Sequence, residues 1–162
     1  SSDDVVEGTS ADDVISGGYG ADRLSGGPAA AAGSTQRGDA LTGLPSDISS
    51  RIAGISDGAD VFLYVRADSS LHKKSLRDVI TDFDRSDRFD LENVDANALR
   101  SGQQSFRWID ESSFTGRAGQ LRIDFASDGK AFLQGDVDGN RKIDFEVKLL
   151  GVEVFSRDNL IL

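Results

Sequence analysis

A spacing of nine residues organises the first part of the chain. Residues 8–16 and 17–25 align as two nonapeptides of the form G-G-x-G-x-D-x-U-x, where U is a large apolar residue, and the first copy has fewer glycines. Steps of nine relate three aspartates and three apolar residues: Asp4, Asp13 and Asp22, and Val6, Ile15 and Leu24. This period is the signature of a parallel β-roll whose turns bind calcium.

The period has a physical basis in the geometry of a flattened solenoid. The x-U-x triplet is a short strand that directs U into the core. The glycine-rich segment is a turn, because glycine adopts left-handed backbone angles and lets carbonyl oxygens converge. Carbonyl and carboxylate oxygens together suit a hard cation such as calcium. Residues eighteen apart lie on one side of the roll, so Asp4 and Asp22 should face one ion site and Asp13 the opposite edge.

The competing interpretation is an acidic, glycine-rich linker, since glycine and aspartate also mark ordinary turns. A linker has no reason to keep apolar residues in phase with its aspartates, which favours the roll. The repeat breaks at Pro28, and a degenerate turn returns at residues 38–43. Residues 57–65 restore the frame, with Phe62 in the U position. We therefore predict a roll over residues 1–65 with an inserted loop at about 28–57.

Calcium ligands are predicted in these turns. The candidates are Asp4, Gly8, Ser10, Asp13, Gly17, Tyr19, Asp22, Gly26, Asp39, Asp57 and Asp60. The lone histidine, His72, stands beside two lysines and cannot form a catalytic zinc site by itself.

Residues 66–162 read as an antiparallel β-sandwich. Short β-prone segments alternate with turns, as in residues 119–125, where Leu121, Ile123 and Phe125 occupy every second position. Ser127 to Lys130 is a hairpin turn signal. Repeated short strands of this kind are typical of a sandwich, so the fold class is all-β, a calcium-binding parallel β-roll followed by an antiparallel sandwich.

The composition restricts the possible partners. The net charge of −10 disfavours nucleic acid, whose phosphates would be repelled, and fits a chain that binds divalent cations. There are no cysteines, so disulfides do not staple the fold. No apolar run reaches the length of a membrane span. Because the sequence starts within a repeat and contains no methionine, we expect it to be the C-terminal piece of a larger protein.

With these residues in view, the chain resembles the C-terminal region of serralysin-type (peptidase M10) secreted metalloproteases, an RTX β-roll followed by a sandwich. The similarity is carried by the repeats at 8–27, by residues 58–62, 79–83 and 87–91, and most specifically by 114–121 and 144–147. Similar modules occur on alginate epimerases and other exported enzymes.

The resemblance implies calcium-dependent folding and export by a type I (ABC) secretion machinery. The parent would be an extracellular bacterial enzyme whose catalytic domain lies N-terminal to this module. The tail resembles the secretion signal of that pathway: Asp158, Leu160, Ile161 and Leu162. The protease zinc motif H-E-x-x-H is absent from these residues, so no proteolysis is assigned to this chain. No nucleophile–base set is visible either, so we expect this chain to be non-catalytic.

A second ion site is one of two interpretations of residues 136–144. Their oxygen-bearing side chains fall at positions 1, 3, 5 and 9 of a loop: Asp136, Asp138, Asn140 and Asp144. This is the spacing of EF-type calcium loops, although the glycine stands at position 4 and position 12 is Val147. The alternative is a plain hairpin turn.

A different function remains open, in which the module holds a polysaccharide for an attached enzyme. An exposed aromatic platform would support it, and Trp108, Tyr19 and Phe132 are the candidates. Each could equally fill the core or a turn. The acidic composition disfavours an anionic polymer unless calcium bridges the two.

Overall fold

The computed structural model describes residues 3–9, 11–27, 59–66 and 76–162, which form eleven strands and one 3₁₀ turn. The strands are β1 (Val5–Glu7), β2 (Val14–Ile15), β3 (Arg23–Ser25), β4 (Val61–Leu63), β5 (Val79–Ile80), β6 (Arg88–Asp90), β7 (Arg107–Trp108), β8 (Gln120–Phe125), β9 (Lys130–Asp136), β10 (Phe145–Leu150) and β11 (Leu160–Ile161). The 3₁₀ turn, Arg157–Asn159, precedes β11. The inserted loop predicted at 28–57 lies outside the described residues.

Successive short strands alternate between two sheets, as a roll requires. Sheet A has the order β1-β3-β5-β10-β9-β8-β7, and sheet B has the order β11-β6-β4-β2. The pairs β1–β3, β3–β5, β2–β4 and β4–β6 are all parallel. The predicted all-β fold with a parallel β-roll is confirmed.

The parallel pairing continues beyond residue 65. The sequence analysis placed residues 78–91 in the sandwich, but β5 pairs with β3 and β6 pairs with β4. The physical reason is the triplet aspartate-x-apolar, which recurs at residues 78–80 and 87–89 without the glycines of the earlier turns. A division into two domains near residue 65 stays a prediction.

The antiparallel strands extend one sheet of the roll. β8, β9 and β10 form an antiparallel meander, and β10 joins β5 in parallel through Lys148↔Val79 and Leu149↔Ile80. Sheet A is therefore continuous from β1 to β7.

The U positions form two rows of paired residues that are largely buried. In sheet A the row is Val6, Leu24, Ile80 and Leu149, and in sheet B it is Ile15, Phe62, Phe89 and Leu160. Aromatic rings fill the space around Phe89, with Phe83 at 5.0 Å and Phe62 at 6.0 Å between ring centroids. These contacts belong to one continuous core.

Within the described part of the chain, no helix has the length and apolarity that crossing a membrane requires.

Candidate metal centre

The turns that precede the sheet A strands carry a first column of aspartates. The Asp4 amide donates to Asp22 Oδ1 at 2.8 Å, and the Asp22 amide donates to Asp78 Oδ1 at 2.9 Å. The Tyr64 hydroxyl donates to Asp78 Oδ2 at 3.0 Å. Each carboxylate therefore satisfies the backbone of the neighbouring coil, which fixes its position.

A second column precedes the sheet B strands. The Asp13 amide donates to Asp60 Oδ1 and the Asp60 amide to Asp87 Oδ1, both at 2.9 Å. Asn159 ends this column, because its Nδ2 donates to the Asp87 carbonyl at 3.0 Å. The columns place Asp4 and Asp22 on one side of the roll and Asp13 on the other, as the eighteen-residue spacing predicts.

Glycines nine residues apart lie directly against these carboxylates. A Cβ atom at Gly17 would stand 2.3 Å from Asp22 Oδ2, and one at Gly26 would stand 1.8 Å from Asp60 Oδ2. A Cβ at Gly8 would meet the Gly26 carbonyl oxygen at 2.4 Å. Only glycine fits at these three positions. Backbone and carboxylate oxygens are therefore held close together in a cradle to which the glycines contribute no side chain.

One oxygen in the cradle lacks a donor. Asp22 is 1 % exposed, and its Oδ2 finds no hydrogen-bond donor among the described residues. An unpaired buried carboxylate oxygen costs free energy. An oxygen-seeking cation beside Gly17 would supply the missing partner, so the donor set fits calcium.

Three buried carboxylates of the two columns have raised pKa values. Burial raises the pKa of Asp60 to about 8, and the nearby charges of Asp87, Asp13 and Asp82 add to the effect. Burial likewise raises the pKa of Asp78 and of Asp87 to about 7. A cation that binds in this region would therefore compete with protons near neutral pH.

The remaining predicted ligands fall into two groups. Ser10, Asp39 and Asp57 lie outside the described residues. Tyr19 is 49 % exposed, and its ring lies under the Arg66 guanidinium at 5.9 Å.

Sequence reasoning missed two members of the columns, Asp78 and Asp87. They are nine residues apart, and each stands two residues before a buried apolar residue. The aspartate-x-apolar triplet was a sufficient signal. The glycine motif was not, because these turns do not carry it.

The structure of residues 136–144 has features of both interpretations that the sequence left open, an ion site and a tight turn. Oxygens of Asp136, Asp138 and Asp144 lie within 4.8 Å of one another. The same side chains also close a tight turn: Asp136 accepts the amides of Gly139 and Arg141 at 2.7 and 2.9 Å.

The predicted secretion tail is a folded strand. β11 pairs in parallel with β6 through Leu160↔Phe89, and Leu160 is buried. Asp158 is exposed, while Ile161 and Leu162 are half-buried. In this state the apolar part of the tail belongs to the core.

The sequence profile described as "Peptidase M10 serralysin C terminal" matches residues 3–162. The chain belongs to this family. Serralysin C-terminal domains are non-catalytic modules of larger proteins, and together with the aspartate columns the match indicates a calcium-binding β-roll module.

Two solved structures resemble this serralysin C-terminal domain. They are solution structures of the AlgE6R3 and AlgE6R2 subunits of the Azotobacter vinelandii mannuronan C5-epimerase. The first is 25 % identical, with a TM-score of 0.54, and the match covers 98 % of this chain and 67 % of that one. The second is 23 % identical, with a TM-score of 0.53, and the match covers 98 % and 87 %. No curated protein sequence matches the chain significantly.

Proposed function

We propose that this domain is a calcium-responsive folding module that serves the type I secretion of a larger extracellular bacterial enzyme, for which a serralysin-like metalloprotease is the favoured parent. The observation that carries the proposal is the cradle of glycines and stacked carboxylates, with its unpartnered oxygen at Asp22. The residues we assign to calcium are Asp13, Asp22 and Asp60, with backbone carbonyls of the adjoining glycine turns.

The balance of charge explains why folding should depend on the ion. Stacked, buried carboxylates repel one another, and each bound calcium would cancel two charges. Binding free energy that is available only to the folded state becomes folding free energy. The roll alone offers a small core per coil, so the ion takes the place of other staples.

The difference in calcium between compartments would set the direction of the switch. Extracellular-type sites bind with dissociation constants on the order of 10⁻⁴–10⁻³ M, so they would be empty in the cytosol. The chain would then stay unfolded and fit for threading through a transporter. Outside the cell, calcium would bind and the roll would fold.

The location of the tail supports this order of events. Leu160 is buried in the folded core, so its side chain can contact a transporter only while β11 is unpaired. A low-calcium cytosol would keep it available. We therefore link export to the unfolded chain, and retention of the chain outside the cell to its folded state.

Far-UV circular dichroism at rising calcium, with magnesium as a control, tests the folding switch. We expect a coil-to-β transition with calcium and not with magnesium. In the variant Asp13→Ala with Asp22→Ala, the calcium midpoint should rise by at least about tenfold, since ligand charge sets affinity in such sites. The matched control is Glu111→Ala with Glu153→Ala, which removes the same charge from exposed positions.

Either of two results would contradict the folding switch. The chain could be fully β in chelator, in which case calcium would stabilise the roll only locally. Alternatively, the aspartate variant could keep the wild-type midpoint, which would remove these side chains from the ion site.

Export from cells that carry a type I transporter tests the role of the tail. Deleting residues 158–162 should abolish secretion of the domain into the medium. The comparison variant is Phe89→Ala, which destabilises the same part of the fold and keeps the tail intact. If the two variants were secreted equally, the tail would not be the signal.

A second candidate parent is a carbohydrate-active enzyme. The structural neighbours are subunits of a mannuronan epimerase, which favours a module that holds polysaccharide for its enzyme. Titration with neutral and acidic oligosaccharides separates this role from export alone.

A further inference from the structure

A groove with a volume of about 580 Å³ lies beside the edge strand β7. It is lined by β7, by the loop that follows it and by Gln120 at the start of β8, and none of the column aspartates takes part. Ligand pockets commonly measure about 300–1,000 Å³. The groove therefore has the size of a binding site and is separate from the candidate calcium ligands.

The charge of the groove is opposite to that of the chain. The guanidinium-bearing residues Arg107 and Arg117 line it and are exposed, and neither has a carboxylate partner among the described residues. The acidic lining residue is Asp110, whose Oδ1 accepts a hydrogen bond from Trp108 Nε1 at 2.6 Å. In a chain with a net charge of −10, two free guanidinium groups at one groove favour an anionic ligand.

The indole of Trp108 is held in a fixed position at the groove. Its ring lies 5.7 Å from the Phe155 ring, and its N–H is bonded to Asp110. Asp110 has a left-handed φ of 53°, which is strained for a residue other than glycine. The hydrogen bond holds the carboxylate on the indole N–H, so the half-buried ring presents an apolar face beside a polar edge.

Further polar groups line the floor. Gln120 Oε1 accepts hydrogen bonds from the Thr115 amide at 2.8 Å and from its hydroxyl at 3.0 Å. The Gln120 amide nitrogen has no acceptor among the described residues, so it can donate to a ligand. Ser113 joins the groove to a second hollow of about 240 Å³, which Arg122 and Arg141 line.

Building on the second candidate function, a module that holds polysaccharide, we propose that this groove binds an acidic saccharide, with uronate residues as the recognised unit. A planar guanidinium pairs with a carboxylate through two parallel hydrogen bonds, which suits Arg107 and Arg117. The apolar face of a sugar ring packs against the Trp108 indole, and hydroxyls of the sugar meet the amide of Gln120. The second hollow extends the site for a longer oligosaccharide.

An acidic peptide is the rival ligand class, and the structure disfavours it. An extended peptide gains most of its affinity by adding a strand to a sheet edge. Among the described strands, β7 is an edge strand of sheet A, but it has only two residues, Arg107 and Trp108, and short edge strands resist such pairing.

The single tryptophan makes the test direct, because fluorescence of the whole chain reports on Trp108 alone. A galacturonate trisaccharide is titrated into the full chain at fixed, saturating calcium, with isothermal calorimetry in parallel. We expect a saturable change in fluorescence. Arg107→Gln with Arg117→Gln should weaken binding by about tenfold or more, because both charge-assisted contacts are lost.

The controls separate recognition from charge and from folding. Arg100→Gln removes one exposed positive charge outside the groove and should bind as the wild type does. Arg107→Lys with Arg117→Lys keeps the charge, and its binding should be intermediate. Circular dichroism confirms that each variant is folded, and the fixed calcium removes bridging by the ion as a variable.

Four outcomes would overturn the proposal. These are no saturation up to about 1 mM saccharide, equal binding by the double glutamine variant, equal binding of a neutral glucan trisaccharide, and tighter binding of a short oligoaspartate peptide. None of them bears on the calcium switch, because the assay is performed on calcium-loaded protein.

Discussion

Replacing Phe89 with alanine is expected to lower the free energy of unfolding of the calcium-loaded domain by about 3–5 kcal/mol. The side chain is fully buried, and its ring lies within 6.1 Å of the rings of Phe62, Phe83 and Phe155. It also stands between the roll and the tail, because β6 pairs with both β4 and β11. A cavity at this point removes packing from both neighbours of β6.

Urea unfolding at saturating calcium, followed by circular dichroism, measures the effect. Phe89→Leu should lose less, since much of the cavity stays filled. Val5→Ala is the surface control, because Val5 is 77 % exposed, and its change should stay within about 0.5 kcal/mol. A loss below about 1 kcal/mol for Phe89→Ala would show that β6 is not part of the cooperative core.

Replacing Gly26 with alanine is expected to raise the calcium midpoint of folding by at least about tenfold, or to abolish folding. The new Cβ would stand 1.8 Å from Asp60 Oδ2, where no real contact can exist. Asp60 cannot move freely, since its Oδ1 accepts the Asp13 amide and its own amide donates to Asp87. The methyl group would therefore break the column or displace the ion.

The matched control is Gly18→Ala in the adjoining turn. Gly18 has a left-handed φ of 83° and open space around its Cβ direction, so alanine there costs backbone strain of about 1–2 kcal/mol and no clash. Calcium titrations of both variants, and of Gly26→Ala combined with Asp60→Ala, form the experiment. Equal midpoints for Gly18→Ala and Gly26→Ala would contradict a carboxylate-lined cradle at Gly26. Because Asp60→Ala by itself removes an assigned calcium ligand, the double variant is compared with that single variant. A smaller effect of Gly26→Ala in the Asp60→Ala background would locate the clash at Asp60.

The candidate site was predictable where its pattern is local. Asp13 and Asp22 stand in two consecutive nonapeptides, and the period alone placed them on opposite sides of the roll. Asp78 and Asp87 share the aspartate-x-apolar triplet but not the glycines, so a search for glycine-rich turns passed over them. A search for the triplet at steps of nine would have included both.

The groove could not have been predicted in this way. Trp108 and Arg107 belong to a strand of two residues, which carries no periodic signal. That they line one groove with Arg117 depends on how the loop returns to β8, and the role of Asp110 depends on one left-handed backbone angle. The acidic composition disfavoured an anionic ligand. That inference does not reach the groove, because a net charge gives no information about where the positive side chains lie.

The sequence by itself determined the all-β class, the nine-residue repeat and the alternation of its strands between two sheets, because these follow from the local spacing of glycine, aspartate and apolar residues along the chain. The tertiary structure alone decided the joining of β5 to β10 and of β6 to β11. Those pairs connect residues about 70 positions apart, and β-strands of similar composition could pair in many ways. Burial of Ile80 and Phe89 in one shared core selects among those pairings, and that choice turns the C-terminal tail into the last strand of the roll.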